Sequence, residues 1–198
     1  MMKIPDTRLR YLLLIMTCLS LSACLSINKP VKTERYSLPE VSPAVQAASA
    51  TQILVLQPVV LADFLDTDRI VLQIDDISLR PTRDHLWADA LSSQLDRAVI
   101  SRLAKQLPNT QVMHRLANQP ATAMQLHIKI DQFQGHMNGY AIASGQWQLL
   151  LPNTHKVVSR AFKFETPLNE NGYPALVRAL GNNIDLLASQ ISLAISSQ

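Results

Sequence analysis

The chain runs to 198 residues, with 18 Lys+Arg against 15 Asp+Glu and a formal net charge of +3. Lys3, Arg8 and Arg10 against Asp6 put most of that excess in the first 23 residues, so the remaining 175 carry only +1. That leaves no basic patch to suggest nucleic acid, and 175 residues suit one domain with a real core.

In chain order, the first element is a leader. A basic stretch precedes an uncharged run, Tyr11 to Ala23, and then Leu21-Ser22-Ala23-Cys24. A basic region, a short apolar run and a small-residue site describe a secretory signal. The run is too short for a membrane span, which needs about 20 apolar residues. Leu, two small residues and then Cys resemble the bacterial lipobox. Small residues let the extended backbone enter a peptidase, and the cysteine supplies the sulfur that takes lipid. Residues 1–23 are therefore expected to be a signal peptide cut between Ala23 and Cys24. Cys24 is expected to carry S-diacylglycerol and N-palmitoyl groups. A buried methylene contributes about 0.8 kcal/mol and one myristoyl chain holds only marginally, so three chains make a lasting anchor. Cys18 leaves with the signal, which makes Cys24 the one cysteine of the mature chain. A disulfide is then excluded, and the core must hold the fold. In lipoproteins of this kind Asp after the cysteine marks retention at the inner membrane. Leu25 stands there instead, which implies export to the periplasmic face of the outer membrane.

Residues 24–50 read as the lipidated N-terminus and a tether, with Pro30, Pro39, Pro43 and a run of small residues. Within it Glu34 to Leu38 alternates as a short strand would. The domain is expected over 51–198. Ile53 to Leu56 and Ile70 to Ile74 are short β-branched runs and read as strands. Between them, 61–68 reads as a loop with an apolar centre. Residues 84–107 read as a helix capped by Asp84, because Trp87, Leu91, Leu95, Val99, Leu103 and Leu107 recur every four residues. Gln111 to Leu116 reads as a strand. Met124, Leu126, Ile128, Ile130 and Phe133, then 142–151, then 157–164, read as an antiparallel meander with turns at 136–139 and 152–154. The last element, 172–196, is an apolar helical stripe with Pro174 in its first turn. Gly181 weakens it locally by about 1 kcal/mol relative to Ala. The expected fold class is α/β or α+β: one domain, a mixed and mostly antiparallel sheet of about six strands, packed by two long amphipathic helices.

Catalytic patterns are weak. No G-x-x-x-x-G-K loop and no G-x-S-x-G elbow occurs. Ser144-Gly145 is only a fragment of the latter. His127 and Asp131 share a strand face, which reads as a solvated face rather than a metal site. Asp63, Asp66 and Asp68, like Asp75 and Asp76, lack the order of a calcium loop and read as acidic turns. No cofactor, no metal and no enzyme activity is expected; an envelope hydrolase using Ser144 and His127 is the weakest alternative.

Four features together resemble one family, the ABC-transport auxiliary lipoproteins of the paraquat-inducible C type. They are the lipobox ending at Cys24; Tyr36-Ser37-Leu38 as a Tyr-x-Leu strand; Gln57-Pro58-Val59 through Phe64-Leu65 to Ile70-Val71; and His85-Leu86-Trp87-Ala88 opening the long helix with a Trp-Ala pair. The resemblance implies an outer-membrane accessory subunit that docks a periplasm-spanning MCE-domain protein in intermembrane lipid transport. Tyr36, Leu38, Phe64 and Trp87 become candidates for partner or groove contacts. The partners implied are an MCE-domain protein and the bilayer, with a homo-oligomer left open. The competing reading is a structural or assembly lipoprotein of the envelope that touches no cargo.

Overall fold

The computed structural model describes residues 32–41, 50–115, 117–118, 120–152 and 156–197. The strands among them are β1 (Glu34–Tyr36), β2 (Gln52–Leu56), β3 (Val60–Leu61), β4 (Arg69–Gln73), β5 (Leu79–Trp87), β6 (Thr110–His114), β7 (Met124–His136), β8 (Tyr140–Leu151) and β9 (Lys156–Pro167). The helices are α1 (Leu91–Gln106) and α2 (Tyr173–Ser196), and a 3-10 turn lies at Asp63–Leu65. This is the mixed sheet with two helices that the patterning predicts. None of the described helices is long and apolar enough to cross a membrane.

β7 organises the sheet. Along one edge it takes β2, β3 and β4 in turn, all parallel: Leu54 opposite Met124, Val60 opposite Lys129, Leu72 opposite Gly135. Along the other it pairs antiparallel with β8, and β8 with β9, so these hairpins carry most of the paired residues. β7 alternates Met124, Leu126, Ile128, Ile130 inward and then breaks step, with Phe133 next inside. Asp131 is the extra residue: Ile130 faces Gly145 and Gln132 faces Ser144. A bulge of this kind leaves two residues opposite one and turns the later side chains over. Gly145 lets the strands close there, since a Cβ on it would lie 2.0 Å from the Lys129 carbonyl oxygen.

Both helices lay apolar stripes against the core. Leu91, Leu95, Val99 and Leu103 of α1, and Leu180, Ile184, Leu187 and Ile191 of α2, are buried together with Trp147 and Leu149 of β8. Each large aliphatic side chain so buried contributes about 1.5–3 kcal/mol. The Trp147 indole N–H also donates to Gln190 Oε1 of α2 (3.0 Å), which fixes the helix along the sheet.

Two expectations need correction. The helix does not start at Asp84. Residues 84–87 end β5, where the Trp87 N–H donates to the Asp68 carbonyl (2.7 Å) and the Ala88 N–H to the Tyr36 carbonyl (2.8 Å). Trp87 faces the core from a strand, in line by chance with the leucines of α1, so the four-residue spacing ran through a strand, a turn and a helix. Asp84 therefore caps nothing in α1. The tether is also shorter than 24–50. Glu34, Arg35 and Tyr36 pair in parallel with His85, Leu86 and Trp87, and Leu38 is buried. The Leu38 N–H donates to Gln94 Oε1 (2.9 Å), and Arg102 Nη2 donates to the Pro39 carbonyl (3.3 Å). Pro39 lies on α2 at Gly181, where a Cβ would meet its ring at 3.0 Å. The glycine that weakens the helix is the one that lets this segment seat.

Candidate functional site

One end of the sheet gathers the unusual surface. The turn after β4, the turn after β7, the exit of β9 and the start of α2 all lie there. The register requires it: Gln73 faces both Leu79 and His136, and Tyr140 faces Pro167. Two hydrogen bonds tie these loops together, Met137 N–H to the Gln73 carbonyl (3.0 Å) and Leu168 N–H to the Gly139 carbonyl (2.9 Å).

Leu72, Gly135, His136, Tyr140, Leu168, Tyr173 and Leu176 line an open groove of about 160 Å³ at this end. Its floor is hydrocarbon. Gly135 holds it open: a Cβ there would come within 2.7 Å of Leu176 and 2.8 Å of Leu72. His136 stacks on Tyr140 at one wall, with ring centroids 4.5 Å apart. Tyr173 forms the other wall and stacks on His85 at 3.6 Å. Tyr36 stands behind it, its hydroxyl donating to Glu34 Oε2 (2.5 Å) and lying 3.0 Å from His85 Nδ1. Burial, then the hydrogen bond and charge of Glu34, push the Tyr36 hydroxyl up to about 12. Burial, then the charge of Asp84, raise that of Tyr173. Both phenols therefore stay neutral across the physiological range. Aromatic walls over an aliphatic floor suit an apolar ligand or surface.

Beyond the groove the apolar character continues outward. Ile77 is 88 % exposed, Met137 60 % and Leu79 41 %. Scattered exposed hydrophobes are ordinary, but several on adjoining turns are a patch.

The four contact candidates divide. Tyr36 belongs to the aromatic cluster that backs the groove. Leu38 and Trp87 are core residues, 5 % and 2 % exposed, and so offer no side chain to a partner; the Trp87 ring packs 6.3 Å from Phe133. Phe64 is exposed on the 3-10 turn and does not line the groove. Leu21, Ser22, Ala23 and Cys24 lie outside the described residues. Asp131 pairs with Lys129 Nζ (2.9 Å), and among the described residues no metal-holding group includes it and His127. The Ser144 hydroxyl donates to Gln132 Oε1 (2.9 Å), not to a histidine. Asp75 caps its own turn, accepting the N–H groups of Ile77 (3.0 Å) and Ser78 (2.7 Å), which hold its carboxyl below the usual range. The groove itself escaped sequence reasoning, because its residues come from four elements. Ile77 and Met137 did carry a signal: each is a large apolar residue at a turn.

Comparison with known proteins follows the same outline. The family model for the ABC-type transport auxiliary lipoprotein component matches residues 36–192. The chain is 30% identical over 174 residues to the intermembrane transport lipoprotein PqiC of Escherichia coli strain K12, covering 85% of this chain and 88% of that one. The PqiC of Shigella flexneri gives the same figures. Among solved structures, an uncharacterized protein shares the fold with a TM-score of 0.73 at 23% identity, covering 83% of this chain and 99% of that one. A Xanthomonas campestris protein does so with a TM-score of 0.62 at 19% identity and the same coverage.

Proposed function

Because this chain belongs to the family of ABC-type transport auxiliary lipoprotein components, we propose that it is the lipid-anchored accessory subunit of an intermembrane lipid transport system. The family match across residues 36–192 is the observation that carries this reading. The signal is cut between Ala23 and Cys24. Cys24 takes the acyl chains, and Leu25 after it sends the protein to the periplasmic face of the outer membrane. There the domain docks the far end of a periplasm-spanning MCE-domain protein. It acts by placement and contact, not by catalysis, and the apolar groove beside Tyr173 fits a protein that works next to lipid. Leu38 and Trp87 serve this role from the core by holding β1 and β5 together.

The test is purification of the acylated protein in mild detergent. An MCE-domain protein should come down with it at a fixed ratio. Recovery of the lipoprotein without any such partner would overturn the docking role. Radiolabelled palmitate should label the wild type and not Cys24→Ala, and the label should fractionate with the outer membrane.

A further inference from the structure

The Ile77–Met137 end has no covering element among the described residues, and the direction of the chain bears on what it faces. β1 runs parallel to β5, with Glu34 opposite His85. Six residue steps along β5 lead from His85 back to Leu79, about 20 Å at the usual rise of a strand. The chain therefore enters β1 from the side of the Ile77–Met137 end. Ten residues join Cys24 to Glu34, a span of at most about 35 Å when extended. That span exceeds the distance from Glu34 to this end by only about 15 Å, which is the most the anchor can stand beyond it.

Charge narrows the occupant further. The turns 74–78 and 137–139 and the segment 168–172 contain no Lys or Arg, and the one exposed basic residue directly beside Leu79 is Arg80. They do contain Asp75, Asp76 and Glu170. Glu170 meets Arg178 Nη1 at 3.4 Å, and Asp75 is engaged in its turn. A surface with exposed Ile and Met and with acidic neighbours is not built for anionic lipid, which attracts basic segments. It suits apolar contact with a surface of low net charge.

We propose that Ile77, Leu79 and Met137 dip into the interfacial layer of the bilayer that holds the Cys24 anchor, so that the groove beside them faces that membrane. The proposal rests on lipidation at Cys24. It gives the domain a fixed orientation: β4, β7 and β9 end at the membrane, and α2 points away from it. Leu193 is 71 % exposed and so equally apolar and accessible. It lies 20 residues along α2 from Tyr173, about 30 Å further from the membrane.

The mature chain has no cysteine besides Cys24, so a single added cysteine can be labelled selectively once Cys24 is acylated. Ile77→Cys, Met137→Cys and Leu193→Cys each receive an environment-sensitive fluorophore, in acylated protein reconstituted into phosphatidylethanolamine–phosphatidylcholine vesicles. Probes at 77 and 137 should shift to the blue and be quenched by spin-labelled lipid at least five times more strongly than the probe at 193. Equal quenching at all three sites by a water-soluble quencher would overturn the orientation while leaving the anchor intact. So would a shift at 77 and 137 that appears only when a protein partner is added. Mass measurement of the membrane-extracted protein checks the anchor separately. If Cys24 carries no lipid, the unmodified mature chain is tested at high vesicle concentration. Ile77→Ser with Met137→Ser should then weaken its partitioning at least tenfold, and an unchanged partition would overturn the proposal. Adding phosphatidylglycerol should not tighten binding, and a requirement for it would also count against the proposal.

Discussion

Where α1 and α2 pack on the sheet and on each other, the chain buries Arg102 and Asn183 and gives each a partner; at the Ile77–Met137 end it exposes apolar groups and gives them none. Arg102 is 3 % exposed, yet it reaches Asp185 (2.6 Å), the Ala98 carbonyl (3.3 Å) and the Pro39 carbonyl (3.3 Å). Asn183 is fully buried and meets the Thr166 hydroxyl (2.6 Å) and the Ala141 carbonyl (3.3 Å). Those bonds are spent on the fold itself, because a buried polar group without a partner costs about 1–3 kcal/mol. Ile77 and Met137 contribute nothing comparable to folding where they stand. A surface that costs solvation and returns no stability points outward, to something the domain meets.

The sharpest test of that contrast removes a seam residue. Trp147→Ala should cost about 3–5 kcal/mol, read as a lower urea midpoint, from lost packing and a cavity. Trp147→Phe keeps most of the bulk and should lose only about 1 kcal/mol with the bond to Gln190. Arg102→Leu comes next, at about 1–3 kcal/mol, since the Pro39 carbonyl and Asp185 lose their donor. Limited proteolysis should then cut faster within residues 37–41, which Arg102 and Gln94 hold down. A cut rate equal to the wild type would show that Arg102 does not clasp this segment. At the other end, Ile77→Ser and Met137→Ser should each leave the midpoint within about 0.5 kcal/mol of the parent. A loss of several kcal/mol there would erase the contrast, by making the patch part of the core.

The smallest effect is a slope. Asp96 on α1 accepts the Val59 N–H (2.9 Å), and burial raises its carboxyl above the ordinary value despite that bond. The folded state therefore holds the proton more firmly than the unfolded one. Stability from this group is full below the unfolded value and declines as pH rises from about 4 through the raised value. Asp96→Asn keeps an oxygen for Val59 and should flatten that decline in urea midpoints measured across the same range. An unaltered slope would mean that other carboxylates carry it.

Much of this fold was legible, and the misreadings have physical causes. The meander and α2 each repeat one period for ten residues or more, so local pattern decides them. Even the bulge left its mark, in the step from Ile130 to Phe133 where two-residue spacing becomes three. β5 was hidden because Trp87 belongs to the core on its own account and happens to stand four residues before Leu91. β1 was placed, but its burial depends on Gln94, Arg102 and Gly181, which lie dozens of residues away. The groove was illegible for the same reason: Leu72, His136, Tyr140 and Leu176 meet only through the register of four elements. Turn residues too apolar for a turn, Ile77 and Met137, were the one local clue to it.

The parallel pairing of β1 with β5 also determines how the domain meets mechanical load. A pull on the chain ahead of Glu34, directed along the axis of β1, acts in the plane of its hydrogen bonds. The bonds that join Glu34, Arg35 and Tyr36 to β5 are then strained together in shear, and Leu38 and Pro39 act as a plug behind them. An antiparallel hairpin pulled at its open end would peel one bond at a time. A domain pulled through β1 is thus held by the stiffer of the two arrangements.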